Sequence, residues 1–408
     1  MDLIVRKARL ADDKPLMDVG VSDGKFAAIE PHLPDGGAKE IFAEGRVLIP
    51  GLVEGHLHLE KALIKDRMPN RSGTLQEAIA VTGKLKPTFS AEDIYERART
   101  ALTWLVRNGS THLRAESEFD PSQGFVGFEV TLALKQEFKH CLDIQICAFP
   151  QEGIFKVPGT EQMMHQALRS GADVCGGIPY NDTDPHQHID LLFRLAKEYG
   201  VSLDVHQDFA DDADAMSIEY LARKTIQEGY EGRVVVGHLT ALGAVEPERQ
   251  KSLCSLIADA GISVMCLPAT DLHLGGRNDA YNVRRALTPV RALRKAGVNV
   301  CLASNNIRNA FTPYNNGDVM QIGMLAVAAC HLGGADDLPT VLPMLTVNPA
   351  KALELKGYGI EVGNEADMVL LDTYRVEDAV IDQPEKLYVF KRGKLTVQRS
   401  VSVQCTYF

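Results

Sequence analysis

The stretch VLIPGLVEGHLHLEKAL, Val47 to Leu63, joins an apolar, strand-like run to two histidines placed one residue apart. Side chains alternate along a strand, so His56 and His58 leave the same face side by side. The pair is a workable two-pronged clamp for a metal ion. The run that carries it is the first of eight, alternating with longer amphipathic segments in the manner of βα units around a parallel sheet. The runs are VLIPGLVEGHLH ending at His58, STHLRAE at Glu116, DIQICAFPQ at Gln151, ADVCGGIPY at Tyr180, VSLDVHQD at Asp208, RVVVGHL at Leu239, GISVMCLP at Pro268 and GVNVCLAS at Ser304. They predict an α/β fold, a (β/α)₈ TIM barrel, whose functional residues gather at the C-terminal ends of the strands. The polar residues of interest fall at those ends.

The flanks read differently. LIVRKARL, MDVGVSDGKFAAIEP and IFAEGRVLIP at the front, and EADMVLLD and KLYVFKRGKLTVQRSV at the back, are short alternating strands with DG or RG turns. Segments 1–48 and 350–408 are therefore expected to form one small β-sandwich domain, with the barrel spanning 49–349.

The chain has 408 residues, 45% of them hydrophobic and 24% charged, enough for one large core and a smaller unit. A formal net charge of -11 argues against nucleic acid or an anionic membrane surface, both of which need clustered Lys and Arg. The expected ligand is small and neutral or cationic. Eight cysteines lie scattered without a CxxC pair, several inside apolar runs, as reduced core thiols of a cytoplasmic protein do. The N-terminus carries no apolar stretch of the length a signal peptide or membrane span needs. Oligomeric state is left open, a homo-oligomer included.

An HxH pair alone is weak evidence for a metal. His206 at the end of the fifth run and His238 at the end of the sixth change the balance, because four histidines on one barrel rim converge on a point suited to Zn²⁺ or Fe²⁺. With these motifs in place, the chain resembles the amidohydrolase superfamily, within it the bacterial cytosine deaminases and the N-isopropylammelide isopropylaminohydrolases. The likeness runs through PGLVEGHLHLEKAL, NRSGTL, AFPQEGI, LDVHQD, GHLTAL, LPATDLHLGGRNDAYNVRRALTPVRALRKAGVNVC and YGIEVGNEADMVLLD. The resemblance implies one divalent metal ion, zinc or iron, held by His56, His58 and His206. It implies that His238 orients or protonates the substrate and that Gln151 bonds the amide-like edge of a small heterocycle. The implied reaction is metal-assisted hydrolytic deamination of a ring related to cytosine, a triazine or a pterin.

The sequence departs from that family at three places. LASNNIRN puts Asn305 where an aspartate normally touches the metal and takes the proton of water, and an amide cannot accept that proton. HQDF puts Phe209 where cytosine deaminases carry a proton-shuttling glutamate, so Phe209 is read as packing against the ligand. RAESEF puts Glu116 and Glu118 where relatives often show histidine and aspartate. Asp208 and Glu116 are the carboxylates expected to join His238 in proton transfer. Asp208, Asp211 and Asp212 have a rival reading as helix-capping acids, and Glu116 has one as the ion-pair partner of Arg114 or Lys61.

Weaker candidates are Glu60 and Lys61, equally readable as a surface salt bridge, and the loop bearing His273, Arg277 and Asp279. His186 and His188 are expected to be exposed at a helix start, and Trp104 to be core. The alternative function is an altered homologue that binds a heterocycle or metal without turnover, or a hydrolase of another C–N bond.

Overall fold

The computed structural model describes residues 1–67 and 69–406. Its strands, in chain order, are β1 (Leu3–Ala8), β2 (Met17–Ser22), β3 (Lys25–Glu30), β4 (Glu40–Phe42) and β5 (Leu48–Pro50), followed by β6 (Leu52–Leu57), β7 (Ser110–Glu118), β8 (Asp143–Phe149), β9 (Val174–Gly177), β10 (Ser202–Gln207), β11 (Val234–His238), β12 (Ser263–Cys266) and β13 (Asn299–Leu302), and then β14 (Met368–Leu371), β15 (Lys386–Lys391) and β16 (Lys394–Gln398).

Strands β6 to β13 form one parallel sheet in sequence order, each neighbour joined through a helical crossover. The sheet closes on itself where Asn305 N donates to His56 O at 2.9 Å and His58 N donates to Asn305 O at 3.0 Å. This is the (β/α)₈ barrel read from the eight runs. Seven of the runs reach one to three residues past the hydrogen-bonded strand, whereas the second stops at Glu116 inside β7, which continues to Glu118.

The crossover helices are amphipathic for a simple reason. In Ala91–Arg107 the buried side chains Ile94, Ala98, Ala101, Leu102 and Leu105 recur at helical spacing and face the sheet, and Ser90 caps the start by accepting from Asp93 N at 3.2 Å. An additional helix, Leu75–Leu85, lies between β6 and β7 and covers the barrel mouth with Leu75 and Ile79.

The flanking strands build two four-stranded sheets, in the orders β3-β2-β1-β4 and β16-β15-β14-β5. Leu3, Val5, Val19 and Val21 of the first share one apolar cluster with Leu48, Met368, Leu370 and Phe390 of the second. Both hairpins turn where the sequence expects. Asp23-Gly24 and Arg392-Gly393 have φ of 50°, 76°, 48° and 69°, the doubly left-handed backbone that matches the twist of two-residue hairpins.

Lys391, at the end of β15, is almost completely buried beneath the barrel, its Nζ 2.6 Å from Asp367 Oδ2 and 2.7 Å from Asp143 Oδ2 at the start of β8. Asp143 also meets Arg392 at 2.6 Å, whereas Asp367 relies on Lys391 as its close cation. Removing one partner of a buried ion pair costs about 3–5 kcal/mol. Lys391→Met should therefore lower the stability measured by urea titration by roughly that amount; a loss below about 0.5 kcal/mol would show that this contact does not hold the sheets to the barrel.

Candidate active site and metal centre

The alternation of β6 turns Glu54, His56 and His58 inward, and that of β7 does the same for Arg114, Glu116 and Glu118. His206 enters from β10. Its Nε2 lies 3.1 Å from His56 Nε2 and 3.1 Å from His58 Nε2, all three rings being buried. Zn–N bonds of about 2.0–2.1 Å put ligand nitrogens roughly 3 Å apart, so the three atoms are spaced as ligands of one ion. Gly237, opposite His206 in the β10–β11 register, makes this approach feasible, since a Cβ there would stand 3.2 Å from His56 Cε1. Burial holds the His56 and His58 imidazoles down to pKa values of about 4 and pushes His206 well below its usual range. The rings are thus neutral near pH 7, the form that binds a metal.

The far nitrogens face carboxylates. His56 Nδ1 is 3.7 Å from Glu116 Oε1 and 3.7 Å from Asp204 Oδ1, and His58 Nδ1 is 3.1 Å from Glu118 Oε1. At 3.7 Å the His56 contacts are electrostatic rather than hydrogen bonds, and the 3.1 Å approach of Glu118 is the closer restraint, on His58. Glu118 is held well below the normal carboxylate range, against its burial, by the Lys61 and Lys86 ammonium groups beside it. Glu116 is pushed well up by burial and by the neighbouring Asp204.

His238, with φ of 69° at the last residue of β11, is buried and fixed on two sides. Its Nδ1 lies 2.7 Å from Asp271 Oδ1, and Phe209 stacks on the ring at 4.2 Å between centroids and 7° between planes. The four histidine rings, Gln151, Tyr180, Phe209, Thr270, Asn305 and Phe311 surround the barrel mouth under Leu75 and Ile79, leaving a cavity of about 10 Å³, near the space of one water. Asn305 Oδ1 is buried there without a hydrogen-bond partner. The convergence of neutral imidazoles and this free carbonyl oxygen fits a divalent cation.

The description Amidohydrolase family matches residues 62–397. The chain is 31% identical to N-isopropylammelide isopropyl amidohydrolase of a Pseudomonas species, across 98% of each chain. It belongs to the amidohydrolase family. Pterin deaminase of Rhizobium rhizogenes is 27% identical over 94% of this chain and 88% of its own. The solved structure of 5-methylcytosine deaminase from Klebsiella pneumoniae with 5-fluorocytosine superposes with a TM-score of 0.94, at 33% identity and 99% coverage of both chains. These amidohydrolase relatives act on carbon–nitrogen bonds of small heterocycles.

Within this amidohydrolase barrel, the structure brings His56, His58, His206, His238, Gln151, Phe209 and Asn305 to one place. Glu116 stands on the far side of His56 from the cavity, and neither Arg114, which pairs with Asp204 at 2.8 Å, nor Lys61, which pairs with Glu118, takes it as partner. Asp208 is not brought to the cluster. A φ of 45° ends the strand alternation that would have turned it inward. Its carboxylate instead accepts from Ser217 N at 3.0 Å and Ile218 N at 2.9 Å, at the start of the helix Ile218–Glu228.

Asp211 accepts from Gly276 N at 2.9 Å, Asp212 meets Arg284 at 3.2 Å, and Asp279 meets Arg284 at 2.7 Å, while Arg277 donates to the carbonyl of His273 at 2.7 Å. That loop bonds within itself and to its neighbours rather than to the cavity. Glu60 and Lys61 are buried, not a surface pair. His188 is buried too, accepting from Ile178 N at 3.1 Å and facing Asp182 at 2.7 Å, whereas His186 is exposed; Trp104 is half-buried under Arg308. Asp271 was the residue the sequence reading passed over. It stands in LPATD just beyond the seventh run, and its partner His238 is 33 positions away.

Replacing His56 and His58 together with Ala should abolish retention of metal while leaving the circular-dichroism spectrum of the barrel intact, since strand-end side chains add little to barrel packing. Elemental analysis reads the outcome. Unchanged metal stoichiometry would place the ion elsewhere.

Proposed function

We propose that this amidohydrolase removes an amino group, as ammonia, from a nitrogen heterocycle of the cytosine, triazine or pterin kind. The observation that carries the reading is the convergence of the His56, His58 and His206 Nε2 atoms beside a His238–Asp271 pair, at a barrel mouth also lined by the Gln151 amide; a ring enters when Leu75 and Ile79 move off that mouth, since the closed cavity holds about one water. His56, His58 and His206 would hold one divalent ion, zinc or iron, with Asn305 Oδ1 within reach as an additional oxygen donor. Bound there, such an ion supplies a Lewis acid that makes water nucleophilic at neutral pH.

The protein's own groups carry the proton. With Nδ1–H donated to Asp271, the His238 ring keeps Nε2 free to take up a proton. It takes one proton of the attacking water and delivers it to the leaving nitrogen, while the second water proton passes to the ring nitrogen beside the attacked carbon, so that ammonia departs as that carbon becomes a carbonyl. Phe209 and Asp271 keep the imidazole in one plane for both transfers. His238 thereby covers the duty that neither Asn305 nor Phe209 can perform. Glu116 serves by orienting His56, and Asp208 by starting a helix.

The same reading places the protein in the cytoplasm, with a small heterocycle rather than nucleic acid or membrane as its ligand, and divides the chain into a barrel, 49–349, and a sheet unit, 1–48 with 350–408. Among the described residues, no helix is long and apolar enough to cross a membrane. Asn305 and Phe209 favour one rival, a homologue that binds metal and heterocycle without turnover.

Metal analysis of the purified protein followed by an ammonia-release screen on amino-heterocycles separates the two. Release from at least one ring is expected, with cytosine itself turned over below a kcat/KM of about 10⁵ M⁻¹s⁻¹. A metal-loaded protein that releases no ammonia from any ring would favour the rival.

On the substrate so found, His238→Asn should cut kcat by at least about 10²-fold with the metal retained, and Asp271→Asn should also lower kcat by misdirecting the ring. Wild-type rates in both variants would overturn the assignment of the proton carrier.

A further inference from the structure

We propose that Lys61 sets the polarity of the substrate-recognition edge. By holding Gln151 Oε1, it leaves the amide NH₂ to face the ligand, so the exocyclic group that the ring places there must be an acceptor, a carbonyl oxygen rather than an amino group. The proposal rests on the reading of this cavity as a heterocycle site and narrows which heterocycles fit.

Lys61 Nζ lies 2.9 Å from Gln151 Oε1. An ammonium group has three donors and no acceptor, so only the carbonyl oxygen of the amide can face it; the flipped amide would set NH₂ against NH₃⁺. The orientation of Gln151 is thus fixed by chemistry as well as by placement. Lys61 has little freedom to release it. The side chain is buried, its Nζ is ion-paired with Glu118 and it sits 4.5 Å from the centroid of the Phe311 ring, a favourable cation–π position. Glu118 is held in turn by Lys86 at 2.6 Å.

Gln151 lines the cavity, and among the described residues its Nε2 donates to no other group. A ring that offers an amino group or N–H at that edge would bury two donors against each other. An unsatisfied buried polar group costs about 1–3 kcal/mol, and a site built around a hydrogen bond rejects the wrong partner strongly.

Calorimetric binding to the metal-loaded protein tests this with two rings that differ at the 2-position, cytosine, with an oxo group beside N1–H, and 2,4-diaminopyrimidine, with an amino group beside an unprotonated N1. The wild type should prefer the oxo ring by at least about 10-fold. In Lys61→Met the amide is free to flip, and the preference should fall to within about 3-fold while metal content stays unchanged. Lys61→Arg, which also offers only donors, should keep the wild-type preference.

Gln151→Glu keeps a partner for Lys61 and turns an acceptor to the cavity, so it should favour the diamino ring. Retention of the wild-type ratio in metal-loaded Lys61→Met, or failure of Gln151→Glu to shift it, would overturn the proposal. Binding of neither ring to the wild type would overturn the reading of this cavity as a pyrimidine site, and this proposal with it.

Discussion

The site depends on two backbone hydrogen bonds at the seam of the barrel, Asn305 N to His56 O and His58 N to Asn305 O. They straddle the HxH pair. Through them the segment that follows β13 closes on the first barrel strand, and the carbonyl oxygen of the Asn305 side chain is brought to the rim that carries the imidazoles. Asn305 adopts φ of 61° to make the connection, a conformation asparagine tolerates better than most residues. Left-handed backbone recurs at Asp208 and His238, so three of the strand ends around the cavity carry local strain of about 1–3 kcal/mol each for a non-glycine residue. Strain of this kind persists only where surrounding packing determines it. Here the packing is the closed barrel.

Below the imidazoles the barrel interior is polar, which is costly unless every charge has an answer. Arg114 answers Asp204, and Lys61 with Lys86 answers Glu118. Glu116 has no such cation at close range, and burial together with the neighbouring Asp204 displaces its pKa upward. The departure RAESEF therefore replaces the family's usual pair with two carboxylates of unequal character. Glu118 is ionised and locked into a lysine network that reaches Gln151 on one side and, through Lys86, the end of the covering helix Leu75–Leu85 on the other. His58, Gln151 and the covering helix are thereby connected through three buried charged side chains, Glu118, Lys61 and Lys86.

Much of this was legible because periodicity is a local property. Eight apolar runs predicted eight barrel strands, and DG and RG turns predicted two hairpins, since strand alternation and left-handed turns are written in consecutive residues. The HxH clamp and the two later histidines followed from the same alternation. It failed at Asp208, where the argument assumed extended backbone one residue beyond the strand. It failed at His188, which a polar surrounding suggested was exposed, because the first turn of its helix folds back onto the end of β9 and the histidine accepts from Ile178 N. Asp271 could not have been found by spacing. Its role exists only through a contact between the ends of two strands and the short helix Pro268–Leu274.

The two substitutions that seem to weaken the site are better understood together. A glutamate at position 209 would be a titratable neighbour of His238, and an aspartate at 305 would be a second acceptor for the proton of water. With both gone, the described residues around the cavity leave His238 as the imidazole whose Nε2 is not engaged by another ring nitrogen, and Asp271 steers it from behind. Phe209 does more than fill the vacated position, because a ring stacked 4.2 Å from the imidazole forbids the rotation that would break the bond to Asp271. On the proposed mechanism, the apolar wall that Phe209 sets beside His238 would serve proton transfer by holding the one acceptor in a fixed plane.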